Sequence, residues 1–566
     1  MKKTHLLFMT ATFAAILSLF SSCTGTSSGT EPPVIETPQT DNITHDEIII
    51  DGTKDGGSWF FWTHNLEEKY YGKTVKMDFS CEMLIENPSD EGYLMWQVNN
   101  GRSYPKIAEC SFKKNETEYK KVSGSKEIEI ANGAIFYLSN YNEPADTTFN
   151  NSNFKIHIKN FNLTINYTEE VPDGLSEEDY WLNVPSIKEV YKNHFEHIGF
   201  AVTETELLND SEKAKGLKYH ATSITMGNEF KPDFIFNWGL NKNTATEKYT
   251  SEFNGKIIDV PETLSGFTRT DLCLSKCKEL GIKMRGHVLV WYSQTPKAFF
   301  CENYDETKSF VDKETMTARQ EWYIKTVLNH VKEWENQNNN GEHIIYTWDV
   351  VNEALSDGAK TNAYLRPSSN SNWAKVYGDE NYEFIINAFR FANKFAPSDV
   401  ALAYNDYNEA SGEKFKGYLK IIDEIQKHEN DTDFPTRLDI AGMQSHNQPA
   451  YPSLTEYENA IKSFIEKGLD VQVTELDITG TAKDSSYQTF NPPTDADQKK
   501  TYNAYYKLYR KYAKTEGKSH GVTGVTIWGI NDEDSWRASG KPLLFKKINS
   551  SYYVKDAYHG VIEAAE

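Results

Sequence analysis

The amino-acid sequence predicts two folded domains, an all-β domain followed by an α/β domain. The 566 residues are too many for one ordinary hydrophobic core. Between residues 46 and 168, short runs of alternating apolar and polar residues follow one another with turns between them, which is typical of strands. From residue 176 onward, strand patterns alternate with helical ones, and the short segment 169–175 (EEVPDGL) reads as a linker.

The first 22 residues are typical of an export signal rather than of the folded protein. Two lysines at positions 2 and 3 precede an apolar stretch from 6 to 20. Small residues then lead to Cys23, so segment 1–22 resembles a bacterial lipoprotein signal in which Cys23 becomes the acylated first residue. An ordinary secretory signal is the alternative. We expect export across the inner membrane and a lipid anchor at the outer membrane or cell surface.

Residues 23–45 predict a flexible tether, because they are rich in Ser, Thr, Gly and Pro and offer little to bury. Residues 46–168 predict a β-sandwich of the jelly-roll type. This segment is rich in aromatic residues, about half of which are expected in its core. If exposed, rings such as Trp62, Tyr104 or Tyr141 could stack on the apolar faces of sugars.

Charge and cysteine content narrow the possible functions. The net charge of −22 argues against nucleic-acid partners and against binding to anionic membrane surfaces. Of the six cysteines, five follow Cys23, and an odd number cannot all pair. Cys81 and Cys110 are a possible disulfide, whereas Cys273 and Cys277 lie one helical turn apart and read as buried small residues. No CxxC or His/Cys cluster indicates a metal site.

The second domain, 176–566, contains eight predicted strands with helices between them. A (β/α)8 barrel accounts for this alternation and would place functional residues at the C-terminal ends of the strands. The alternation alone also permits a doubly wound sheet. The predicted strands span residues 198–202, 221–225, 283–291, 344–351, 400–405, 438–446, 469–477 and 522–530.

Two of these strands end in a glutamate. Glu353 follows the apolar run 344–351, and Glu475 lies near the end of 469–477. A carboxyl group against an apolar wall has a raised pKa, which suits a general acid near neutral pH. Two carboxyl groups that converge on one site are what glycoside hydrolysis requires, one to protonate the leaving oxygen and one to attack or to activate water.

The motifs around the two glutamates, WDVVNEA and VTELDI, resemble those of the family 10 glycoside hydrolases, the endo-1,4-β-xylanases. The resemblance covers roughly 176–566 and favours the (β/α)8 barrel over the doubly wound sheet. It implies that Glu353 is the acid/base and Glu475 the nucleophile of a retaining reaction on β-1,4-xylan. It also implies that no cofactor or metal takes part, and that His446, held by Asp477, supports the nucleophile.

Further strand ends resemble the family's substrate-binding residues. TMGNEFK and RGHVLVWYSQ match the motifs after the second and third strands, with two departures. Gly227 stands where the family usually has Glu, so one sugar contact is missing, and Tyr292 replaces a common His. The implied substrate-binding residues are Asn228, Lys231, His287, Trp291, Asn352, Tyr407, Gln444, Trp528 and Trp536.

The sequence therefore predicts a lipid-anchored endo-xylanase whose partners are xylan or xylo-oligosaccharides. Its N-terminal sandwich resembles the carbohydrate-binding modules of secreted polysaccharide-degrading enzymes. One alternative is the same chemistry on a β-glucan. A second, a non-catalytic glycan-binding lipoprotein, fits the tether and the aromatic residues but not two glutamates supported by His446 and Asp477.

Overall fold

The computed structural model describes residues 35–51, 60–88, 91–101, 103–139, 154–171, 175–237, 239–483 and 489–566. The chain divides into two compact units between Gly174 and Leu175. The predicted export signal and Cys23 lie outside the described residues. Within those residues, no helix is long and apolar enough to span a membrane.

The first unit is an all-β sandwich, as predicted. Two antiparallel four-stranded sheets have the strand orders β1-β8-β3-β6 and β2-β7-β4-β5. The strands are β1 (Ile35–Asp51), β2 (Phe60–Asn65), β3 (Thr74–Glu86), β4 (Gly92–Asn99), β5 (Lys106–Phe112), β6 (Lys120–Glu129), β7 (Ile135–Ser139) and β8 (Lys155–Val171).

The prediction of a tether over 23–45 is wrong for residues 35–45, which belong to strand β1. This strand pairs with β8 from Ile35 opposite Val171 to Asp51 opposite Lys155, so β8 also extends into the predicted linker. Strand β1 lies at the edge of its sheet, and its residues 39–47 are exposed or only partly buried, so they show no apolar alternation. Its partner strand is more than a hundred residues away in sequence, so no local sequence pattern indicated the pairing.

Trp62, one of the rings that could have stacked on sugars, lies against the core of the sandwich. Trp62 is partly buried, with its ring centroid 5.8 Å from that of Trp96 and 5.1 Å from that of Phe161. It therefore belongs to the core packing. Tyr104 is 56% exposed, while Tyr141 lies outside the described residues.

Both sandwich cysteines are buried and neither forms a disulfide, so the possible Cys81–Cys110 bond is absent from the structure. Each thiol lies among the apolar side chains between the two sheets. Burial raises the pKa of the Cys110 thiol to about 11, which keeps it neutral. The two residues act as small apolar core residues.

The second unit is a closed barrel of eight parallel strands, which confirms the (β/α)8 prediction. Closure comes from two pairings that a doubly wound sheet would lack, β21 with β9 and β18 with β20. The barrel strands are β9 (His197–Val202), β10 (Ser223–Met226), β13 (Lys283–Trp291), β14 (Ile345–Asn352), β17 (Ala401–Asp406), β18 (Ile440–Met443), β20 (Asp470–Ile478) and β21 (Val522–Ile527).

Each predicted barrel strand overlaps an observed one. Shorter strands extend the loops around the barrel: β11 (Glu247–Thr250), β12 (Ile257–Val260), β15 (Leu355–Lys360), β16 (Ala363–Leu365), β19 (His446–Asn447), β22 (Phe545–Ile548) and β23 (Ser551–Val554). The helices are α1 (Ile187–Tyr191), α2 (Glu204–Asn209), α3 (Ser211–His220), α4 (Pro232–Phe236), α5 (Phe267–Leu280), α6 (Lys313–Asn338), α7 (Asn372–Tyr377), α8 (Glu383–Phe395), α9 (Gly412–Gln426), α10 (Leu454–Glu466), α11 (Asp495–Lys511) and α12 (Asp556–Glu563).

Local sequence explains how the helices cover the barrel. Helix α10 begins at a capping box, in which Ser453 and Glu456 bond to each other's backbone N–H groups. Its buried side chains, Tyr457, Ala460, Ile461 and Phe464, recur at helical spacing and form one apolar face. On α5, Cys273 and Cys277 are fully buried, as predicted.

Candidate active site

Three buried amides connect the two glutamates at the C-terminal end of the barrel. Asn405 Nδ2 donates to Glu475 Oε1 (2.9 Å) and to Asn352 Oδ1 (3.0 Å). Gln444 Nε2 donates to Glu353 Oε1 (3.0 Å) and to the same Asn352 oxygen (3.1 Å). The opposite orientation of the Asn352 amide would bond its NH2 group to the Asn405 carbonyl (3.2 Å) and its oxygen to Trp291 Nε1 (3.3 Å). It would also turn that NH2 group against the NH2 groups of Asn405 and Gln444. Residues 122 positions apart in sequence thus share one site.

Glu353 has surroundings that favour its protonated form. Its Oε2 accepts a hydrogen bond from Trp291 Nε1 (3.0 Å), and its backbone N–H donates to the carbonyl of Asn405 (2.9 Å). Burial raises the pKa of Glu353, although the hydrogen bond from Gln444 lowers it, and the negative charges of Asp406 and Glu475 raise it further. A carboxyl group of this kind can carry a proton near neutral pH and deliver it to a leaving oxygen.

Glu475 faces a cation instead. Its Oε2 lies 3.3 Å from His446 Nε2, and His446 Nδ1 lies 2.9 Å from Asp477 Oδ2. Burial opposes a charge on His446, but the Asp477 carboxylate outweighs burial and raises the pKa of His446 to about 9. Asp477 is itself held by Arg537 Nη1 and Trp536 Nε1, both at 3.1 Å. The imidazolium keeps Glu475 oriented and next to a positive charge.

The predicted residues Asn228 and Lys231 lie together beside the wall formed by Trp291. The Lys231 ammonium group lies 4.8 Å from the centre of the Trp291 ring, 2.9 Å from Gln294 Oε1 and 3.4 Å from Asn228 Oδ1. Burial lowers the pKa of Lys231. At Gly227, an added Cβ would meet only the Val202 carbonyl oxygen, at 3.6 Å, so the strand end is open there. This end of the cleft offers amide and ammonium donors to a ligand.

His287 is buried next to the barrel interior. Its Nδ1 lies 2.9 Å from Asp349 Oδ2, and Asp349 also accepts from Arg285 Nε (3.0 Å). The carboxylate therefore occupies one ring nitrogen of His287 and leaves Nε2 as the atom for a ligand. The His287 ring contacts the indole of Trp528 edge-on, with centroids 5.7 Å apart.

Trp528 and Trp536 line the same part of the cleft. The centroid of Trp536 lies 5.1 Å from that of His446, and that of Trp528 lies 6.5 Å from it. Trp536 is 54% exposed, which is unusual for a tryptophan tied to a buried carboxylate. An exposed indole at the mouth of a cleft is suited to stacking on a sugar.

Tyr407 lies on the other side of Glu353, at the end of β17. Its hydroxyl accepts from Arg366 Nη2 (2.8 Å) and donates to Asp357. The ammonium group of Lys414 lies 3.4 Å from the centre of its ring. One face of the Tyr407 ring is therefore covered, and a sugar could stack only on the opposite face.

Sequence reasoning missed several residues of this site. Asn405 ends a barrel strand just as Asn352 does, so its position was a usable signal. Arg366 and Arg537 come from loops, and only the fold brings them to the cleft. Glu409, also unassigned, is buried, accepts a hydrogen bond from Ser445 Oγ (3.1 Å), and has its pKa raised to about 7 by burial.

The geometry agrees with the family that the sequence resembles. The model of glycosyl hydrolase family 10 matches residues 186–564. This chain belongs to glycosyl hydrolase family 10. A bifunctional endo-1,4-β-xylanase XylA from Ruminococcus flavefaciens is 35% identical to this family 10 chain over 383 residues, which are 67% of the chain and 34% of the relative. Endo-1,4-β-xylanase A from Butyrivibrio fibrisolvens is 31% identical over 67% of the chain and 84% of the relative.

A solved structure shares the order of the two units. It contains the CBM22-1 and GH10 modules of the N-terminal endo-1,4-β-D-xylanase 10B of Clostridium thermocellum, complexed with xylohexaose. The TM-score is 0.53 at 24% identity, with 93% of this family 10 chain and 94% of that chain covered. At this identity the likeness concerns the fold alone.

Proposed function

We propose that this protein is a retaining endo-1,4-β-xylanase with Glu353 as acid/base and Glu475 as nucleophile. The observation that carries the proposal is the contrast between two carboxyl groups joined by one set of amides. Glu353 has a raised pKa beside a neutral indole and amide, whereas Glu475 lies beside cationic His446. A retaining reaction needs one carboxyl group protonated and the other ionised at the same pH.

In the first step, Glu475 attacks the anomeric carbon and the glycosidic C–O bond breaks. Glu353 gives its proton to the departing oxygen, so that the leaving sugar departs as a neutral alcohol. The product of this step is a xylosyl ester of Glu475 and an ionised Glu353. Because its pKa is raised, Glu353 still carries this proton near neutral pH when the bond begins to break.

In the second step, the ionised Glu353 removes a proton from water. The resulting oxygen attacks the anomeric carbon from the side that the leaving sugar vacated, and Glu475 departs as a carboxylate. Two inversions give net retention of configuration. We expect the two carboxyl groups to lie about 5–5.5 Å apart, since an inverting pair would leave room for a water between them.

The substrate assignment rests on the donors around the cleft and on the xylanases among the chain's relatives. Asn352, Lys231 and His287 offer polar side-chain atoms to sugar hydroxyls on one side of the glutamates, and Tyr407 offers a ring face on the other. Binding on both sides of the scissile bond is what an enzyme that cuts inside a chain requires.

The test is the time course of xylohexaose hydrolysis followed by proton NMR. The first reducing ends to appear should be β-anomers, and the early products should come from internal cleavage. An initial α-anomer would contradict the retaining mechanism. Parallel digests of xylan, arabinoxylan and mixed-linkage glucan should show release from the two xylans well above release from the glucan.

We propose, second, that the sandwich binds polysaccharide. Support comes from its separate hydrophobic core and from the exposed ring of Tyr104, whereas Trp62 is committed to core packing. A fragment of residues 35–174 should unfold cooperatively and be retarded by xylan in an affinity gel, and Tyr104→Ala should weaken the retardation. A folded fragment that is not retarded by xylan, cellulose or mixed-linkage glucan would leave only a role as a spacer.

We propose, third, that Cys23 carries a lipid anchor. The basic start, the apolar stretch and the small residues before Cys23 support this assignment. Mass spectrometry of the protein from cell membranes should find an acylated Cys23 at the new N-terminus. Cys23→Ala should release the enzyme from the membrane fraction, and an unmodified protein in the medium of wild-type cells would favour an ordinary secretory signal.

A further inference from the structure

We propose that Arg366 is a positioning residue that connects the acid/base Glu353 to the part of the cleft that receives the leaving sugar. The inference rests on the proposed function for the roles of Glu353 and Tyr407. Arg366 follows strand β16 in the hairpin segment that begins directly after Glu353. It is 5% exposed, which is rare for an arginine outside a bonded network.

The guanidinium group of Arg366 has a partner on each of its nitrogens. Nε donates to the backbone carbonyl of Glu353 (2.8 Å), and Nη2 donates to the hydroxyl of Tyr407 (2.8 Å). Nη1 lies 3.3 Å from Asp357 Oδ2, and Asp357 also accepts from Tyr407. One rigid planar group thus fixes the peptide of the acid/base and the ring on the opposite side of the scissile bond.

Two further contacts restrict the position of Arg366. Its backbone N–H donates to the carbonyl of Ala354 (2.9 Å), and its guanidinium carbon lies 3.9 Å from the centre of the Tyr292 ring. The plane of the guanidinium group is therefore held by stacking as well as by hydrogen bonds. A lysine at this position would keep the charge but could not make all these contacts at once.

The backbone of Glu353 needs such support. Its φ angle of +52° lies in the left-handed region, which residues other than glycine seldom adopt. A residue held in this conformation is stable only when its surroundings fix it. The Asn405 carbonyl accepts from the Glu353 N–H (2.9 Å), and Arg366 holds the Glu353 carbonyl, so both ends of the residue are fixed.

The charge of Arg366 also acts on Glu353. Burial raises the pKa of Glu353, the carboxylates of Asp406 and Glu475 add to that rise, and Arg366 together with the Gln444 hydrogen bond opposes it. The other cations nearby are Lys231, across the cleft, and Lys414, which pairs with Asp406 at 2.9 Å. Of the two, Lys414 shares with Arg366 the contact with the Tyr407 ring.

Lys414 provides a matched control because it contacts Tyr407 without a hydrogen bond to Glu353. Arg366→Met and Arg366→Lys are compared with Lys414→Met on two substrates. Xylohexaose needs both a leaving sugar and a proton on the departing oxygen. An aryl xylobioside with a dinitrophenolate leaving group needs neither the leaving-sugar site nor the acid.

Arg366→Met should lower kcat on xylohexaose by on the order of 10²-fold, the lower end of a general-acid contribution. It should cause little loss of kcat/KM on the aryl substrate, because the xylosyl ester forms there without an acid. Arg366→Lys should lose less kcat on xylohexaose than Arg366→Met does. Its loss should likewise be larger on xylohexaose than on the aryl substrate. Lys414→Met should act chiefly on KM for xylohexaose. Equal losses of kcat on xylohexaose and of kcat/KM on the aryl substrate would overturn the proposal, whether measured in folded Arg366→Met or, if the methionine variant does not fold, in Arg366→Lys.

The pH profile distinguishes an electrostatic effect of Arg366 on Glu353 from a purely structural role, which would leave the profile unchanged. Without the charge of Arg366, the pKa of Glu353 rises, so the alkaline limb of kcat/KM on xylohexaose should move to higher pH in Arg366→Met. In Arg366→Lys, which keeps the charge, the alkaline limb should stay at the wild-type pH. An unmoved limb in the methionine variant would contradict the coupling. The proposed function fails separately if the wild-type enzyme does not cleave xylohexaose. It also fails if Glu353→Ala loses no more kcat/KM on xylohexaose than on the aryl substrate.

Discussion

The two glutamates share one site but face opposite surroundings. On the Glu353 side, burial and two further carboxylates favour the proton, while the Gln444 amide opposes it. On the Glu475 side, the imidazolium of His446 faces the carboxylate and is itself held by Asp477. Equivalent positions at two strand ends thus give different chemistry, because the neighbouring strands and loops supply different partners.

This difference teaches that the contacts of the two carboxyl groups set their roles, rather than their places at the same end of the barrel. Both strands are buried, and β20 itself contributes Asp477, which keeps His446 cationic. The other residues that separate the two roles come from neighbouring strands and from the loops that follow them. Substitutions around either Glu353 or Glu475 should therefore remove the difference between the two carboxyl groups.

The largest effect is expected from Glu475→Ala. Without the carboxylate no xylosyl ester can form, so activity should fall to background on xylohexaose and on the aryl xylobioside alike. Initial rates on both substrates test this, with circular dichroism as the control for folding. Residual turnover of the aryl substrate close to the wild-type rate would assign the nucleophile elsewhere.

A smaller effect is expected from Asp477→Asn, which removes the charge that keeps His446 cationic. The imidazole should then titrate below the wild-type pKa of about 9, because burial is no longer outweighed. Losing one charge-assisted hydrogen bond is worth about 1.5–3 kcal/mol, so kcat/KM should fall roughly 10- to 100-fold. Nitrogen NMR of the ring measures the titration. An unchanged pKa would show that Asp477 does not control the charge of His446.

The smallest effect is expected from Glu409→Gln, below the Glu475 side of the site. The folded-state pKa of Glu409 is raised from 4.5 to about 7, so its contribution to stability is complete below about 4.5 and is lost as pH rises through about 7. Glutamine cannot ionise, so the variant should lose less thermal stability than wild type between about pH 4.5 and about pH 7. Calorimetry checks this against Glu516→Gln, an exposed control. Equal pH dependence in both variants would contradict the buried ionisation.

The alternation of strands and helices predicted an α/β domain with polar residues at its strand ends, and the resemblance to family 10 favoured the barrel over a doubly wound sheet. A buried parallel strand is an apolar run, and the polar residue that follows must lie at the C-terminal end of the barrel. Glu353, Gln444 and Glu475 could be placed together on that basis. The motifs around them then indicated which residue had which role.

The missed features depend on contacts between segments far apart in sequence. The missed part of strand β1, residues 35–45, is a polar edge segment whose partner is β8, so nothing in its own composition predicted it. Trp62 could be assigned to the core only once Trp96 and Phe161 were known to face it. Arg366 is one of several charged loop residues, and its role appears only from its contacts with Glu353 and Tyr407.

The most direct test of the contrast is Glu353→Ala assayed on the dinitrophenyl xylobioside with added azide. This substrate needs no acid to form the xylosyl ester, so the ester should form and then accumulate for lack of a base. Azide is a nucleophile that needs no deprotonation, so it should restore turnover and yield a β-xylobiosyl azide. Formation of the α-azide, or no effect of azide on Glu353→Ala, would contradict the assignment of Glu353 as acid/base and Glu475 as nucleophile.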